Sequence, residues 1–406
     1  MMNVLVLCAY YLPGFKAGGP IKTIAGMVDR LGDEFHFSII TSDRDTQDTD
    51  PFPHIKENSW QQVGKAQVYY ISPTDKTIRG FRRAIVSKPY DILYLNSFFD
   101  PQFTGTPLFL HRLGLIPQTP VIVAPRGEFS AGAINLKKPK KHAYLLAAQM
   151  VGLYSKVQWQ ASSEFEKQDI LREFFRCPNG LRHHNLKSGG AAAPDITLAP
   201  DITLAPNILA SSNEELLPFG KYGHKPLRII FLSRITNMKN LGYALNVLAK
   251  IQADIDFDIY GPVDRDKDYW YECQRLISKL PKNIQTRYLG PVEASKVQKV
   301  FSEYDLFFFP TKGENFGHVI LESLSAGCPV LLSDQTPWQD LEEHNAGWVV
   351  PLSKPEEFRK IIETLAQYSQ EELSKFFTGA ARYAYEKLDD QEVIEQNRAL
   401  FYGASI

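Results

Sequence analysis

The chain has 406 residues, 44% hydrophobic and 22% charged, with 45 Lys and Arg against 46 Asp and Glu and a formal net charge of −1. That is ordinary globular composition and too long for one compact core; it excludes a dominantly basic nucleic-acid binder and a solvated acidic tail. The balance is uneven: residues 1–206 hold 23 Lys and Arg and 18 Asp and Glu, a sum of +5, which leaves −6 for the rest.

The apolar run 4–9 reads as a first strand. With no basic stretch before it and no small-residue cleavage site, it is not expected to be a signal peptide. Apolar runs at 35–41, 68–71, 92–96, 121–125, 159–161 and 202–206 follow, with helical spacing at 21–31 and 164–175 between them. Continuous apolar runs are how strands buried on both faces read, and their alternation with helices predicts a parallel sheet. The second half repeats the theme. Strands are predicted at 228–233, 257–260, 287–289, 306–310, 329–333 and 348–351, and helices at 242–250, 270–279, 294–301, 318–326 and 356–367. A last helical period runs over 371–401. Two doubly wound α/β domains are therefore expected, with their boundary between 206 and 226, and the crevice between them is the default ligand site. Residues 194–199 and 200–205 both read PDITLA. One short duplication cannot stack into a solenoid and reads as a local copy beside a surface loop.

The four cysteines, Cys8, Cys177, Cys273 and Cys328, include no C-x-x-C pair and suit a reducing cytosol. No run of about 18 apolar residues occurs that would span a bilayer.

The most informative stretch is 309–327, FPTKGENFGHVILESLSAG. A strand gives way at Pro310 to a loop with Gly313, Glu314 and Gly317, and a helix starts near His318. Amides at a helix start favour a phosphate, and Gly317 lets backbone approach a ligand closely. Glu314 and Glu322 are eight positions apart and can face one crevice, one near a sugar and one near a ribose. On spacing alone they read as readily as a solvent-facing pair around an ordinary strand–helix turn. Residues 231–241, FLSRITNMKNL, place Arg234 and Lys239 after a strand, where cations can neutralise a diphosphate leaving group. The plainer reading is a surface Arg and Lys at a helix start. Residues 13–20, PGFKAGGP, are a Gly-rich bend before the helix at Ile21. They are not G-x-G-x-x-G, so a dinucleotide fingerprint is weak, and the bend is either a crevice lining or a simple turn.

Taken in order, that Gly-Gly loop, APRGEFS at 124–130, ASSEFEKQDI at 161–170, SRI-x3-KNL at 233–241, YGP at 260–262, YLGPV at 288–292 and ENFGHVILE at 314–322 closely resemble the family 4 glycosyltransferases, glycosyl transferases group 1. The resemblance covers nearly the whole chain. It implies the GT-B fold, two Rossmann-like domains facing each other across a cleft: an acceptor-binding domain at 1–212, a nucleotide-sugar-binding domain at 213–385, and a C-terminal helix at 386–406 crossing back to the first. It implies a retaining, metal-independent hexosyltransferase that moves a sugar from a UDP- or GDP-sugar to a glycan or lipid-linked acceptor in bacterial surface polysaccharide or glycolipid synthesis. By the same resemblance Arg234 and Lys239 match the pair that binds the donor diphosphate, Glu314 the residue that approaches the donor sugar, and Glu322 the one that holds the ribose. Asn315, Phe316, Gly317, His318 and Val319 match the loop that meets sugar and diphosphate. Gly19 matches the N-terminal loop glycine, and Gly290 and Val292 flank the nucleobase position. The chain departs from the family where many relatives carry His-Gly: here Arg126-Gly127 stands, and Arg126 is open to binding a phosphate or an acceptor, or to pairing with Glu128. Retention in this family is thought to proceed by acceptor attack on the face from which the leaving group departs, with the leaving phosphate taking the acceptor proton. A sucrose- or starch-type synthase with a soluble acceptor, a catalytically dead nucleotide-sugar-binding protein and a nucleotide-cofactor oxidoreductase are the rival readings. The dead protein should have lost the charged set.

No metal and no cofactor beyond the nucleotide-sugar is expected. D-x-D occurs at Asp43/Asp45, Asp48/Asp50, Asp264/Asp266 and Asp266/Asp268, and these scattered matches read as solvated loop aspartates rather than a cation grip. His183-His184 reads as surface. The basic half has two clusters: Arg79, Arg82, Arg83 and Lys88 around Phe81 and Ile85, and Lys137, Lys138, Lys140 and Lys141 before the apolar run 144–150. Cations beside an amphipathic segment suit an anionic membrane surface, which would place the protein at the inner face of the cell membrane. A solvated face or the entry to a core helix explains them equally.

Overall fold

The structure, a computed structural model, describes residues 1–135, 138–175, 201–209, 225–263 and 267–404. The chain divides into two compact units, Met1–Ile208 with Glu392–Ile406, and Leu209–Gln391.

In the first unit, strands β1 (Met2–Leu7), β2 (Phe35–Ser42), β3 (Trp60–Val63), β4 (Ala66–Ile71), β5 (Ile92–Leu95), β6 (Val121–Val123), β7 (Val157–Ala161) and β8 (Ile202–Leu204) form one sheet in the order β3-β4-β2-β1-β5-β6-β7-β8. The pairings are parallel except β3 with β4. Helices α1 (Gly19–Leu31), α2 (Ile78–Val86), α3 (Thr106–Arg112), α4 (Ala131–Asn135), α5 (Lys138–Met150) and α6 (Glu164–Glu173) lie between the strands in sequence. Successive side chains of a strand point to opposite faces. Val4 and Val6 accordingly join one core with Ile24, Val28 and Leu31 of α1. Leu5 and Leu7 join another with Phe81 of α2 and Leu108 of α3. Burial on both faces is why β1 is apolar without alternation.

The second unit holds β9 (Leu227–Leu232), β10 (Ile255–Tyr260), β11 (Ile284–Gly290), β12 (Leu306–Phe309), β13 (Val330–Ser333) and β14 (Gly347–Val350), all parallel, in the order β11-β10-β9-β12-β13-β14. Its helices are α7 (Leu241–Leu248), α8 (Lys267–Ile277), α9 (Val297–Phe301), α10 (His318–Ser325), α11 (Pro355–Gln367) and α12 (Gln370–Leu388). The last helix, α13 (Gln391–Ala404), belongs to the first unit: Ile394, Leu400 and Phe401 enter the core beside Val4, and Arg398 bridges to Glu34.

The single helical period expected over 371–401 is two helices. Asp389 ends α12, and Ser369 starts it with a reciprocal capping box to Glu372. β3 has no counterpart in the sequence reading, because an antiparallel edge strand with mostly half-buried residues carries no apolar run. Of the duplicated PDITLA, the second copy carries β8 and the first lies outside the described residues. Cys8, Cys273 and Cys328 are buried and form no disulfide among the described residues, and burial pushes the Cys8 thiol up to about 12; Cys177 lies outside the described residues.

Candidate functional site

In an open parallel sheet, ligands bind at the carboxyl ends of the strands where the strand order reverses. In the second unit that point lies between β9 and β12, since β10 and β11 extend from one side of β9 and β12 to β14 from the other. The loops leaving these two strands carry Arg234, Lys239 and Glu314.

The two loops are tied together by buried hydrogen bonds. Asn240, the residue before α7, sits in the left-handed region (φ 64°, ψ 36°), is 7% exposed, and donates its side-chain amide to the Pro310 carbonyl at 2.9 Å. The Met238 carbonyl accepts the Lys312 amide at 2.9 Å and the Thr311 hydroxyl at 3.2 Å. Farther along, the Glu314 amide donates to the Gln335 carbonyl at 3.0 Å. The result is an ion pair between Lys239 and Glu314, with the two side chains 16% and 12% exposed. Lys239 Nζ also stands 5.7 Å from the centre of the Phe309 ring. Arg234 is different: it is exposed and makes no hydrogen bond or ion pair among the described residues.

Gly261 of the YGP stretch explains the close approach behind Arg234. A Cβ there would stand 1.8 Å from the Ser233 carbonyl oxygen, so only glycine fits at its φ of 138°. The Ser233 amide donates to the Tyr260 carbonyl at 3.1 Å.

The loop of Asn315 and Phe316 leads into α10 through Gly317, whose φ of 79° places it in the left-handed region. The start of α10 has no side-chain cap and no acidic residue in its first turn, so no carboxylate of its own offsets the positive helix end. Phe316 is held by Trp338, whose indole N–H donates to the Phe316 carbonyl and whose ring lies 5.4 Å from the Phe316 ring. His318 packs 4.9 Å from the same ring. Val319 and Glu322 are half-buried on α10. Gly290 ends β11 with φ 76° and accepts the Gly261 amide at 2.8 Å, while Val292 packs against the core of the unit. The structure thus joins Lys239 to Glu314 directly and sets Arg234 and the α10 residues on loops of the same strand ends. Asn240, Gly261 and Trp338 shape these loops. Asn240 and Gly261 lay inside quoted motifs without a role, and Trp338 carried no signal.

Gly19 and Arg126 belong to the first unit. Gly19 is the first residue of α1, and the positive φ of the Gly-Gly bend falls on Gly18, at 72°. Arg126 does not pair with Glu128. Its Nε donates to Asn96 Oδ1 at 2.8 Å, and its two Nη groups donate to Asn207 Oδ1 and the Tyr94 hydroxyl. The Glu128 carboxylate instead accepts the Ser97 hydroxyl and the amides of Phe98 and Phe99 at 2.9, 2.6 and 3.0 Å.

Two further expectations change. Asp43 and Asp45 are 0% and 3% exposed rather than solvated. Asp43 pairs with Arg44, and Asp45 accepts the amides of Phe15 and Lys16 at 2.6 and 2.8 Å, which pins the N-terminal loop. Asp48 pairs with Lys16 and Asp50 is exposed, while Asp264, Asp266 and His183-His184 lie outside the described residues. Among the described residues no group of three or more His, Cys, Asp or Glu is placed to hold a metal. On α2, Phe81 and Ile85 face the core and Arg79, Arg82 and Arg83 face outward, so the apolar half of that cluster is spent on folding. Lys141 lies 4.4 Å over the Phe99 ring, Lys140 is exposed, and the backbone of Lys137 lies outside the described residues.

Residues 214–382 match the family model described as glycosyl transferases group 1. A 150-residue stretch, 36% of the chain, is 23% identical to the GtfA subunit of UDP-N-acetylglucosamine–peptide N-acetylglucosaminyltransferase from Streptococcus agalactiae and covers 28% of it. Another, 162 residues and 36% of the chain, is 25% identical to the amylovoran biosynthesis glycosyltransferase AmsK from Erwinia amylovora and covers 37% of it. The chain therefore spans about a third of the length of the curated relatives it matches. Among solved structures, Anabaena HepE in complex with UDP and glucose aligns over 100% of both chains at 15% identity with a TM-score of 0.64. That likeness shows the fold, GT-B with two Rossmann-like domains.

Proposed function

From the premise that residues 214–382 form a glycosyl transferases group 1 domain, we propose that the protein is a retaining hexosyltransferase that uses a nucleotide-sugar donor without a metal. The observation that carries this reading is the set of side chains at the β9/β12 ends: an Arg234 without a partner among the described residues, a Lys239–Glu314 pair and the uncapped start of α10. The donor is a UDP- or GDP-sugar. HepE holds UDP and glucose on the same fold, which supports a nucleoside diphosphate as a ligand of this chain.

Breaking the anomeric C–O bond places charge on the diphosphate. Arg234, Lys239 and the amides at the α10 start stabilise it, and removing one such contact costs about 3 kcal/mol of barrier. Glu314 orients the donor sugar and holds Lys239 in place until the diphosphate binds. Glu322 takes the ribose hydroxyls, and Asn315, Phe316, Gly317, His318 and Val319 border sugar and diphosphate. Gly290 and Val292 border the base. The acceptor hydroxyl attacks on the face from which the diphosphate leaves, and the departing phosphate oxygen takes its proton.

The acceptor is a glycan or lipid-linked sugar of a bacterial surface polysaccharide or glycolipid, a reading supported by the name of AmsK. Among the described residues no helix is long and apolar enough to cross a membrane. Peripheral attachment at an anionic membrane surface is supported by a patch on the first unit. Arg82 bonds the Leu115 carbonyl and Arg112 the Gly152 carbonyl, beside exposed Leu113, Leu115, Met150 and Val151. The test of the donor reading is a hydrolysis screen over UDP-, GDP- and ADP-sugars. Release of the nucleoside diphosphate from one class supports it, and release from none, with stabilisation by NAD alone, overturns it.

A further inference from the structure

We infer that Arg126 and Asn96 form a binding site for an oxyanion, a phosphate or a carboxylate, in the first unit. Arg126 follows β6 and Asn96 follows β5, at strand carboxyl ends beside the β1/β5 point where the strand order reverses. A guanidinium has five N–H donors. Three are used here, on Asn96 Oδ1, Asn207 Oδ1 and the Tyr94 hydroxyl, and all three acceptors are uncharged. Two N–H groups and the full charge remain.

No carboxylate of the described residues lies within ion-pair distance of Arg126. The neighbouring acids are already engaged: Glu128 by Ser97, Phe98 and Phe99, and Glu166 by the Gly127 amide and the Ser162 amide and hydroxyl. Asn96 supplies the second observation. It is 5% exposed, its oxygen is taken by Arg126, and its Nδ2 is a buried donor with no partner among the described residues. Buried donors left unpaired are costly and rare in folded proteins. A carboxylate, or two oxygens of a phosphate, can take bonds from the guanidinium edge and satisfy this amide as well.

The site is held from behind. The Tyr94 hydroxyl accepts from Arg126 and donates to Gln160, whose Nε2 donates to the Ala205 carbonyl at 2.7 Å and to Asn397 of α13 at 3.5 Å. Asn397 is fixed in turn by the Pro206 and Val393 carbonyls, each at 2.8 Å. Stacking of Phe98 on Tyr154 at 4.4 Å anchors the loop after Asn96. Arg126 itself has a φ of 55°, an unfavourable value for a long side chain, and such residues concentrate at ligand sites. The chain thus maintains a strained cation, with no carboxylate partner among the described residues, through a network that reaches its last helix.

The inference rests on the proposed function only for what carries the anion, the phosphate of a lipid-linked acceptor or the carboxylate of an acidic sugar. Isothermal titration of the full chain at low salt with inorganic phosphate and with D-glucuronate, against D-glucose, tests it. At least one anion is expected to bind with a stoichiometry near one. Asn96→Asp, which sets a competing carboxylate on the guanidinium, and Arg126→Lys, which keeps charge but loses the fork, are each expected to weaken it at least about tenfold. Circular dichroism checks that both variants fold. Binding of phosphate alone assigns the site to a phosphate group, and binding of glucuronate alone to a sugar acid. If wild type binds neither anion, or folded variants bind as wild type does, the inference fails. UDP affinity of the wild-type protein tests the donor reading separately.

Discussion

Replacing Asn240 with alanine should loosen the loop that carries Arg234 and Lys239. Two effects add. The Pro310 carbonyl at the end of β12 loses its 2.9 Å donor in a site only 7% exposed, which costs about 1–2 kcal/mol. Alanine must also adopt φ 64°, ψ 36°, which costs about 1 kcal/mol more than for asparagine. The sum is about 2–3 kcal/mol, or a fall of roughly 4–12 °C in the midpoint of the thermal transition that includes the second unit. Asn240→Gly separates the two effects, because glycine accepts the backbone conformation and loses only the hydrogen bond. The expected order of stability is therefore wild type, then Gly, then Ala, with glycine above alanine, opposite to their helix propensities. Differential scanning calorimetry reads it directly. UDP affinity should fall in the same order, since the loop positions both cations. Equal stability of the alanine variant and wild type, or a glycine variant less stable than alanine, would refute the reasoning.

Gly261→Ala should abolish a stable second unit, since its Cβ would stand 1.8 Å from the Ser233 carbonyl; recovery of soluble protein with wild-type melting would show that the β9–β10 contact is not tight. Cys8, Cys273 and Cys328 should resist aqueous disulfide reagents in the native protein and react only on unfolding, and thiol counting by mass spectrometry shows whether they do. The first unit should sediment with anionic vesicles at low salt and largely dissociate at high salt, while Met150→Asp with Leu113→Asp should weaken binding at both. Absence of sedimentation at low salt removes the membrane reading.

The strands were legible because parallel strands buried on both faces must be apolar throughout. The runs at 92–96 and 306–310 coincide with β5 and β12 to within a residue. β3 escaped because its edge position asks little of its side chains. The charged set of the second unit was legible as ENFGHVILE and SRI-x3-KNL, but its internal pairing was not. Spacing suggested Glu314 with Glu322, and the fold pairs Glu314 with Lys239 across adjacent strand ends 75 positions apart. Arg126 shows the same limit. The local sequence offers Glu128 two positions on, whereas the actual partners, Tyr94, Asn96 and Asn207, come from other strand ends that only the sheet brings together. Asp45 read as a polar loop residue because nothing local shows that amides of the N-terminal loop descend on it.

Arg234→Ala tests the central claim most directly. The side chain is exposed and holds no partner among the described residues, so its loss should leave melting unchanged. If Arg234 meets the donor diphosphate, kcat for hydrolysis of the best nucleotide-sugar should fall about a hundredfold. Lys239→Ala should fall at least as far and also lose stability, because it leaves Glu314 without its cation. Wild-type turnover in Arg234→Ala would contradict the assignment of the β9/β12 ends as the donor site.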